Sequence, residues 1–132
     1  MKYETLEHKA DLKIKVFGKT KKELFKNALL GMFESAKYEG EGKIKREIRV
    51  SSQDLISLLV DFLSEALYLN EVNYELYDDV QFKKFTEKEI EGILFGKKLK
   101  RKGVIIKGVT YYDLDIHQRK DGTREAAVLF DI

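Results

Sequence analysis

The chain has 132 residues, the usual size of one domain, and we expect residues 1–132 to form a single domain with a buried core. Hydrophobic residues make up 43% and charged residues 36%, which indicates a folded protein with a strongly charged surface. A formal net charge of +2 argues against nucleic-acid binding through bulk positive charge alone. The lack of cysteine excludes disulfides, thiolate nucleophiles and Cys-ligated zinc, and favours a cytoplasmic location. Neither a membrane span nor a signal peptide is predicted.

The first elements are a strand and an amphipathic helix. Strict alternation of apolar and lysine side chains predicts a half-buried strand over residues 13–17. Thr20 and Glu23 have the spacing of a capping box, which predicts that a helix begins there. Apolar residues then recur at the helical period as far as Ala36, and we expect the helix to end near Gly40.

A second strand and a second helix follow. The pattern over residues 44–50 predicts a half-exposed strand, and that over residues 55–69 predicts a helix that is apolar on almost every side. Such a helix is typical of the centre of a core. Its narrow polar seam contains Asp54, Ser57, Asp61, Ser64 and Glu65.

The second half of the chain has the patterns of strands only. The predicted strands cover residues 80–85, 90–95, 104–117 and 125–130. Asp121-Gly122 between the last two predicts a type I′ turn and therefore an antiparallel hairpin. The order of elements predicts an α+β fold in which two helices pack on one face of a mainly antiparallel sheet.

Two acidic residues at opposite ends of the chain form the first candidate site. Asp11 precedes the first strand, whereas Asp131 and Ile132 are the last two residues, and the terminus at Ile132 would add a carboxylate. If the first and last strands are neighbours, three carboxylates meet, and such a cluster requires a cation such as Ca²⁺ or Mg²⁺. The alternative is that Asp131 and Ile132 are solvated chain ends and Asp11 simply starts a strand.

Other polar residues are possible neighbours of this site. Glu7 and His8 lie in the polar segment before Asp11, and His8 would add a nitrogen ligand. Asp61 and Glu65 stand one helical turn apart, a spacing that suits either metal binding or proton transfer. The alternative for these two acids is an exposed helix edge paired with Lys or Arg.

A basic run lies at residues 97–102, where five positive charges are flanked by Gly96 and Gly103. We expect it to form a loop between strands. It would contact RNA phosphates or an acidic partner, or else be a solvated turn. The run contains no aromatic residue on which bases could stack.

Several strings in this chain, taken in order, resemble the archease family. They are Leu6-Glu7-His8-Lys9-Ala10-Asp11, Gly18, the strings Glu23-Leu24-Phe25, Asn27-Ala28 and Gly31-Met32-Phe33, residues 59–65, residues 107–111 and the final Asp131-Ile132. The resemblance spans nearly the whole chain. The chain differs from the usual motif at Lys9, where a threonine is usual, and at Tyr112, where a histidine is usual.

The resemblance implies an accessory protein and not an enzyme. Archeases assist the RtcB-type RNA ligase of tRNA splicing: they promote its guanylylation and multiple turnover and broaden its nucleotide use. The resemblance implies a strand-helix-strand-strand module with an insertion. It also implies a calcium ion at Asp11, Asp131 and Ile132, with Mg²⁺ or Mn²⁺ as alternatives. We expect a monomer whose partner is the ligase, with RNA contacted only weakly or indirectly.

Two other functions remain open from the sequence. The first is a metal-dependent phosphodiester hydrolase that uses the same acids together with His8. The second is an RNA-binding module that uses residues 97–102.

Overall fold

The structure, a computed structural model, describes residues 1–6, 11–111 and 113–132. Within these residues the chain forms eight strands and two helices. In chain order they are β1 Tyr3–Leu6, β2 Asp11–Gly18, α1 Lys21–Ser35, β3 Glu39–Ser51, α2 Leu55–Asn73, β4 Glu75–Phe85, β5 Glu89–Arg101, β6 Gly108–Thr110, β7 Ile116–Gln118 and β8 Arg124–Asp131.

The strands are divided between two antiparallel sheets. In the five-stranded sheet, β2 lies between β1 and β8, and both β6 and β7 pair with β8. β6 pairs with the end of β8 and β7 with its beginning. The three-stranded sheet has the order β3-β5-β4. β2 and β8, which were both predicted from the sequence, are thus direct neighbours in the structure.

The helices join the two sheets through one hydrophobic core. α1 contacts β1, β2 and β8 of one sheet and β4 of the other, whereas α2 contacts β3, β4 and β6. Phe25 of α1 lies with its ring centroid 5.8 Å from that of Phe62 on α2 and 5.0 Å from that of Phe85 on β4. These rings connect both helices to the three-stranded sheet, and side chains of β2 and β8 complete the core.

The predicted α+β class is confirmed, with both helices in place. Thr20 caps α1 as predicted, because its Oγ1 accepts from the Glu23 N–H at 3.1 Å. The return bond of the capping box differs from the prediction, since Glu23 Oε1 accepts at 3.1 Å from the N–H of Lys19, one residue before the cap. α1 ends before the predicted Gly40. Lys37 has a φ of 62°, and the Tyr38 N–H donates back to the Phe33 carbonyl, an arrangement that terminates a helix.

The prediction of a long strand over residues 104–117 is wrong. Among the residues of this stretch that the structure describes, only those of β6 and β7 are in strands, because the chain turns between them. The Leu114 N–H donates to the Tyr111 carbonyl at 3.1 Å, and Asp113 has a φ of 53°. Ile106 and Leu114 are buried in the core although they lie outside both strands. Apolar residues in this stretch therefore do not all belong to a strand.

The prediction of a loop at residues 97–102 is also wrong, because β5 continues to Arg101 and pairs with both β3 and β4. Gly96 is required by packing and does not mark a turn. A Cβ atom at this position would lie 1.9 Å from the Leu76 carbonyl oxygen. A glycine in a sequence therefore marks either a turn or a close approach between two strands, and the sequence alone does not distinguish them.

The hairpin between β7 and β8 is antiparallel as predicted, but its turn is not type I′. Gly122 is the turn residue with positive φ, at 91°, and its N–H donates to the Arg119 carbonyl at 3.0 Å. Asp121 Oδ1 accepts from the Thr123 N–H at 2.9 Å. A turn followed by one left-handed glycine is typical of a three-residue hairpin loop, which needs positive φ at one position instead of two.

Candidate cation site and its surroundings

The two acids from opposite ends of the sequence lie side by side in the five-stranded sheet. Asp11 is the first residue of β2, and its cross-strand partner on β8 is Asp131. Residues directly opposite each other in an antiparallel pair project from the same face, with Cβ atoms about 4.5–5.5 Å apart. Like charges in this arrangement repel each other.

The backbone at Asp131 is held on both sides. β2 pairs with it along one edge of β8, and Gly108 of β6 pairs with it along the other. The Lys107 N–H donates to the Asp131 carbonyl at 2.6 Å. Strand alternation buries Phe130 and packs Ile132 against the core, whereas Asp131 between them is exposed. The core packing of its neighbours therefore turns the Asp131 side chain outward.

The structure does not bring every candidate residue to this pair. Glu7 and His8 lie outside the described residues, as does Tyr112. Asp61 is half-buried on α2 and accepts from Ser52 Oγ at 2.5 Å, and Glu65 is half-buried one turn later. In the part of the chain that the structure describes, no group of three or more His, Cys, Asp or Glu side chains is placed to share a metal ion.

The basic run at residues 97–102 is largely neutralised. Three of its five charged side chains form ion pairs: Lys100 with Glu41 at 2.9 Å, Arg101 with Glu39 at 2.7 Å and Lys102 with Glu71 at 2.5 Å. Glu39 and Glu41 belong to the neighbouring strand β3, and Glu71 belongs to α2. Pairing of β5 with β3 explains the first two ion pairs, and packing of α2 explains the third; the sequence pattern revealed none of them.

A buried polar cluster around Glu75 was missed in the sequence. Arg46 on β3 donates to both carboxylate oxygens of Glu75, from Nε at 3.1 Å and from Nη2 at 2.7 Å. The Tyr77 hydroxyl donates to Glu75 Oε1 at 2.9 Å, and Asn70 Nδ2 donates to the Glu75 carbonyl. The only local signal was the pair Glu75 and Tyr77 two residues apart, in a segment where no strand was predicted.

Burial and hydrogen bonding act on this cluster in opposite directions. Burial raises the pKa of Glu75, but the hydrogen bonds from Arg46 and Tyr77 outweigh it and hold that pKa below its usual range. Burial and the bond to Glu75 both raise the pKa of the Tyr77 hydroxyl. The cluster is thus an ionised carboxylate neutralised within the fold, which indicates a structural role.

No helix among residues 1–6, 11–111 and 113–132 is long and apolar enough to cross a membrane.

The sequence matches the model of the Archease protein family (MTH1598/TM1083) over residues 3–132. The chain belongs to the archease family. It is 39% identical over 141 residues to the protein archease of Methanosarcina acetivorans, a match that covers 99% of this chain and 96% of that protein. It is 32% identical over 140 residues to the protein archease of Pyrococcus furiosus, covering 98% of each.

Solved structures of archease-family proteins share the fold. The solution structure of Methanobacterium thermoautotrophicum protein 1598 superposes with a TM-score of 0.71 at 26% identity and covers 98% of both chains. The crystal structure of an archease from Thermotoga maritima, described as a possible chaperone, gives a TM-score of 0.69 at 19% identity and covers 96% of this chain and 94% of that one.

Proposed function

We propose that this chain is an accessory protein of an RtcB-type RNA ligase in tRNA splicing, and that it promotes guanylylation and multiple turnover of the ligase. Two observations support this proposal. The chain belongs to the archease family along almost its whole length, and its sheet sets Asp11 opposite Asp131. The second observation carries the mechanism, because it puts an acidic pair at one end of a sheet whose backbone is hydrogen-bonded on both sides.

In this proposal the acidic pair holds a divalent cation. Asp11 and Asp131 would provide carboxylate oxygens, with Ile132 as the third contributor. A set of oxygen ligands suits a hard cation, so Ca²⁺ is the expected ion, with Mg²⁺ or Mn²⁺ as alternatives. When bound, the cation would supply positive charge at the ligase active site, where the ligase's own metal ion and the triphosphate must be aligned. The accessory protein itself would form no covalent bond.

The residues of this chain would act by positioning. The core packing of Phe130 and Ile132 fixes the end of β8, and pairing with β6 fixes it from the other side. The acidic pair is thereby displayed on a rigid strand end instead of a loop. A preformed site of this kind would meet a partner without a large loss of conformational entropy.

A multiple-turnover RNA ligation assay with the ligase of the same organism tests the proposal. Wild-type protein should stimulate product formation, and Asp11→Asn and Asp131→Asn should reduce the stimulation at least tenfold. The matched control is Asp121→Asn, which removes the same charge from the turn before β8 and should stimulate normally. Circular dichroism checks that each variant is folded. Normal stimulation by both Asp11→Asn and Asp131→Asn would overturn the mechanism.

A second assay separates this proposal from the hydrolase alternative. Purified protein with Ca²⁺, Mg²⁺ or Mn²⁺ and no ligase should leave phosphodiester substrates intact. Cleavage that is lost in Asp11→Asn would instead assign the acidic pair to hydrolysis.

A further inference from the structure

An open groove of about 580 Å³ lies on the three-stranded sheet, where β3, β4 and β5 meet. It is produced by irregularities in the two strands that flank β5. The register shifts between Glu41 and Ile44 on β3 and between Tyr77 and Asp79 on β4, on either side of Gly96. Bulges bend a strand and redirect its side chains, and they recur next to functional sites.

Three lysines line the groove. Lys43 and Lys45 come from β3 and Lys97 from β5, and none of the three forms an ion pair within 4 Å with any residue that the structure describes. This distinguishes Lys97 from Lys100, which belongs to the same strand and is paired with Glu41. Of the five charged residues in the run, Lys97 and Lys98 have no ion pair with a described residue, and of these two only Lys97 lines the groove.

An aromatic ring lies among these lysines. Phe95 is the cross-strand partner of Lys45, its side chain is half-buried in the groove wall, and Lys45 Nζ lies 5.8 Å from its ring centroid. The sequence of the basic run offered no such ring. The fold provides it by pairing β5 with β3, so that cations and one aromatic face share a concave surface.

One acid also lines the groove. Asp78 occupies the bulge of β4, and burial raises the pKa of its carboxyl, an effect that nearby Lys97 only partly offsets. A half-buried carboxyl of this kind accepts hydrogen bonds from amino groups, such as those of nucleobases. Its single negative charge is outnumbered by the three lysines.

We propose that the groove formed by Lys43, Lys45, Phe95 and Lys97 binds single-stranded RNA, with the lysines at phosphates and Phe95 against a base. Lysine contacts to phosphates together with stacking on an aromatic ring are the usual means of binding single strands. The choice of RNA over DNA rests on the proposed function, in which RNA is the ligase substrate. The groove lies on the three-stranded sheet, whereas the acidic pair lies in the five-stranded sheet.

Fluorescence anisotropy with a labelled 12-nucleotide single-stranded RNA, without ligase, tests the proposal. Lys97→Gln should weaken binding about fivefold at 50 mM KCl and reduce the salt slope by about 0.7, as expected for one lost phosphate contact. The matched control is Lys100→Gln, which removes the same charge from the same strand. It should change affinity less than twofold, because its ammonium is already paired with Glu41.

Variants of Phe95 test the stacking contact separately. Phe95→Leu should weaken binding about tenfold without changing the salt slope, since stacking releases no counterions. Phe95→Tyr retains a ring and should bind like wild type, which separates stacking from a packing defect.

Several results would overturn the proposal: no binding at 50 mM KCl, equal losses in Lys97→Gln and Lys100→Gln, or competition by polyglutamate as strong as by unlabelled RNA. The last result would assign the groove to an acidic peptide. Because the assay contains no ligase, its failure is distinguishable from failure of ligase stimulation.

Discussion

Two acidic sites in this molecule differ in what surrounds them. Glu75 lies in the three-stranded sheet, where Arg46 and Tyr77 satisfy its carboxylate within the fold. Asp131 lies at the end of the five-stranded sheet, where its cross-strand partner is the carboxylate of Asp11. The first arrangement neutralises a buried charge within the fold. The second sets two carboxylates opposite each other at the end of a sheet, and in our proposal a divalent cation binds between them.

The largest expected effect on stability comes from removing the ion-pair partner of Glu75. Arg46→Met should lower the free energy of unfolding by about 2–3 kcal/mol, because it leaves the buried Glu75 carboxylate without its bidentate partner. Urea denaturation measures this change.

The control for this variant is Arg49→Met on the same strand. Arg49 pairs with Glu91 at 3.2 Å, but its side chain is 78% exposed, so its loss should cost less than about 0.5 kcal/mol. Equal losses of stability in the two variants would show that the Arg46–Glu75 pair contributes no more to the fold than an exposed ion pair.

A smaller effect is expected on acidification. The pKa of Glu75 is lower in the folded protein than in the unfolded chain, so its contribution is fully present above the ordinary glutamate pKa of about 4.3. It is lost as the pH falls through the lowered folded-state pKa. The stability difference between wild type and Glu75→Gln, about 1–2 kcal/mol at pH 7, should therefore shrink below about pH 4. A difference independent of pH would contradict the ion pair.

The sequence predicted the acidic pair better than the Glu75 cluster. Asp11 and Asp131 flank strands whose alternation is visible locally, and pairing of these strands was sufficient to bring the two residues together. The Glu75 cluster depends on Arg46, which lies 29 residues away and becomes a neighbour only through pairing of β3 and β4 with β5. Non-local contacts of this kind leave no periodic signal in one sequence.

The errors in the predicted elements have the same origin. Gly96 suggested a turn, although it fits a close approach to the Leu76 carbonyl inside a sheet. The apolar residues of segment 104–117 suggested one strand, although a turn at Asp113 divides it. The division into two sheets was also not predicted, because local patterns identify strands but not their partners.

The smallest effect on stability is expected when one carboxylate of the acidic pair is removed in the absence of a cation. In EDTA, Asp131→Asn should raise the free energy of unfolding by about 0.5 kcal/mol, because it removes repulsion between opposite carboxylates. Thermal or urea unfolding measures the change. Glu47→Gln is the control, since the cross-strand partner of Glu47 is the apolar Ile93 and its charge removal should leave stability unchanged. Destabilisation by Asp131→Asn in EDTA would argue against repulsion at the pair.

Calcium titration by isothermal calorimetry, after removal of bound metal with EDTA and dialysis, tests most directly whether the acidic pair is a cation site. Wild type and Asp121→Asn should bind one Ca²⁺ per chain with equal affinity, whereas Asp11→Asn and Asp131→Asn should each weaken binding at least tenfold. Binding of Ca²⁺ by Asp11→Asn and Asp131→Asn with wild-type affinity would contradict the assignment.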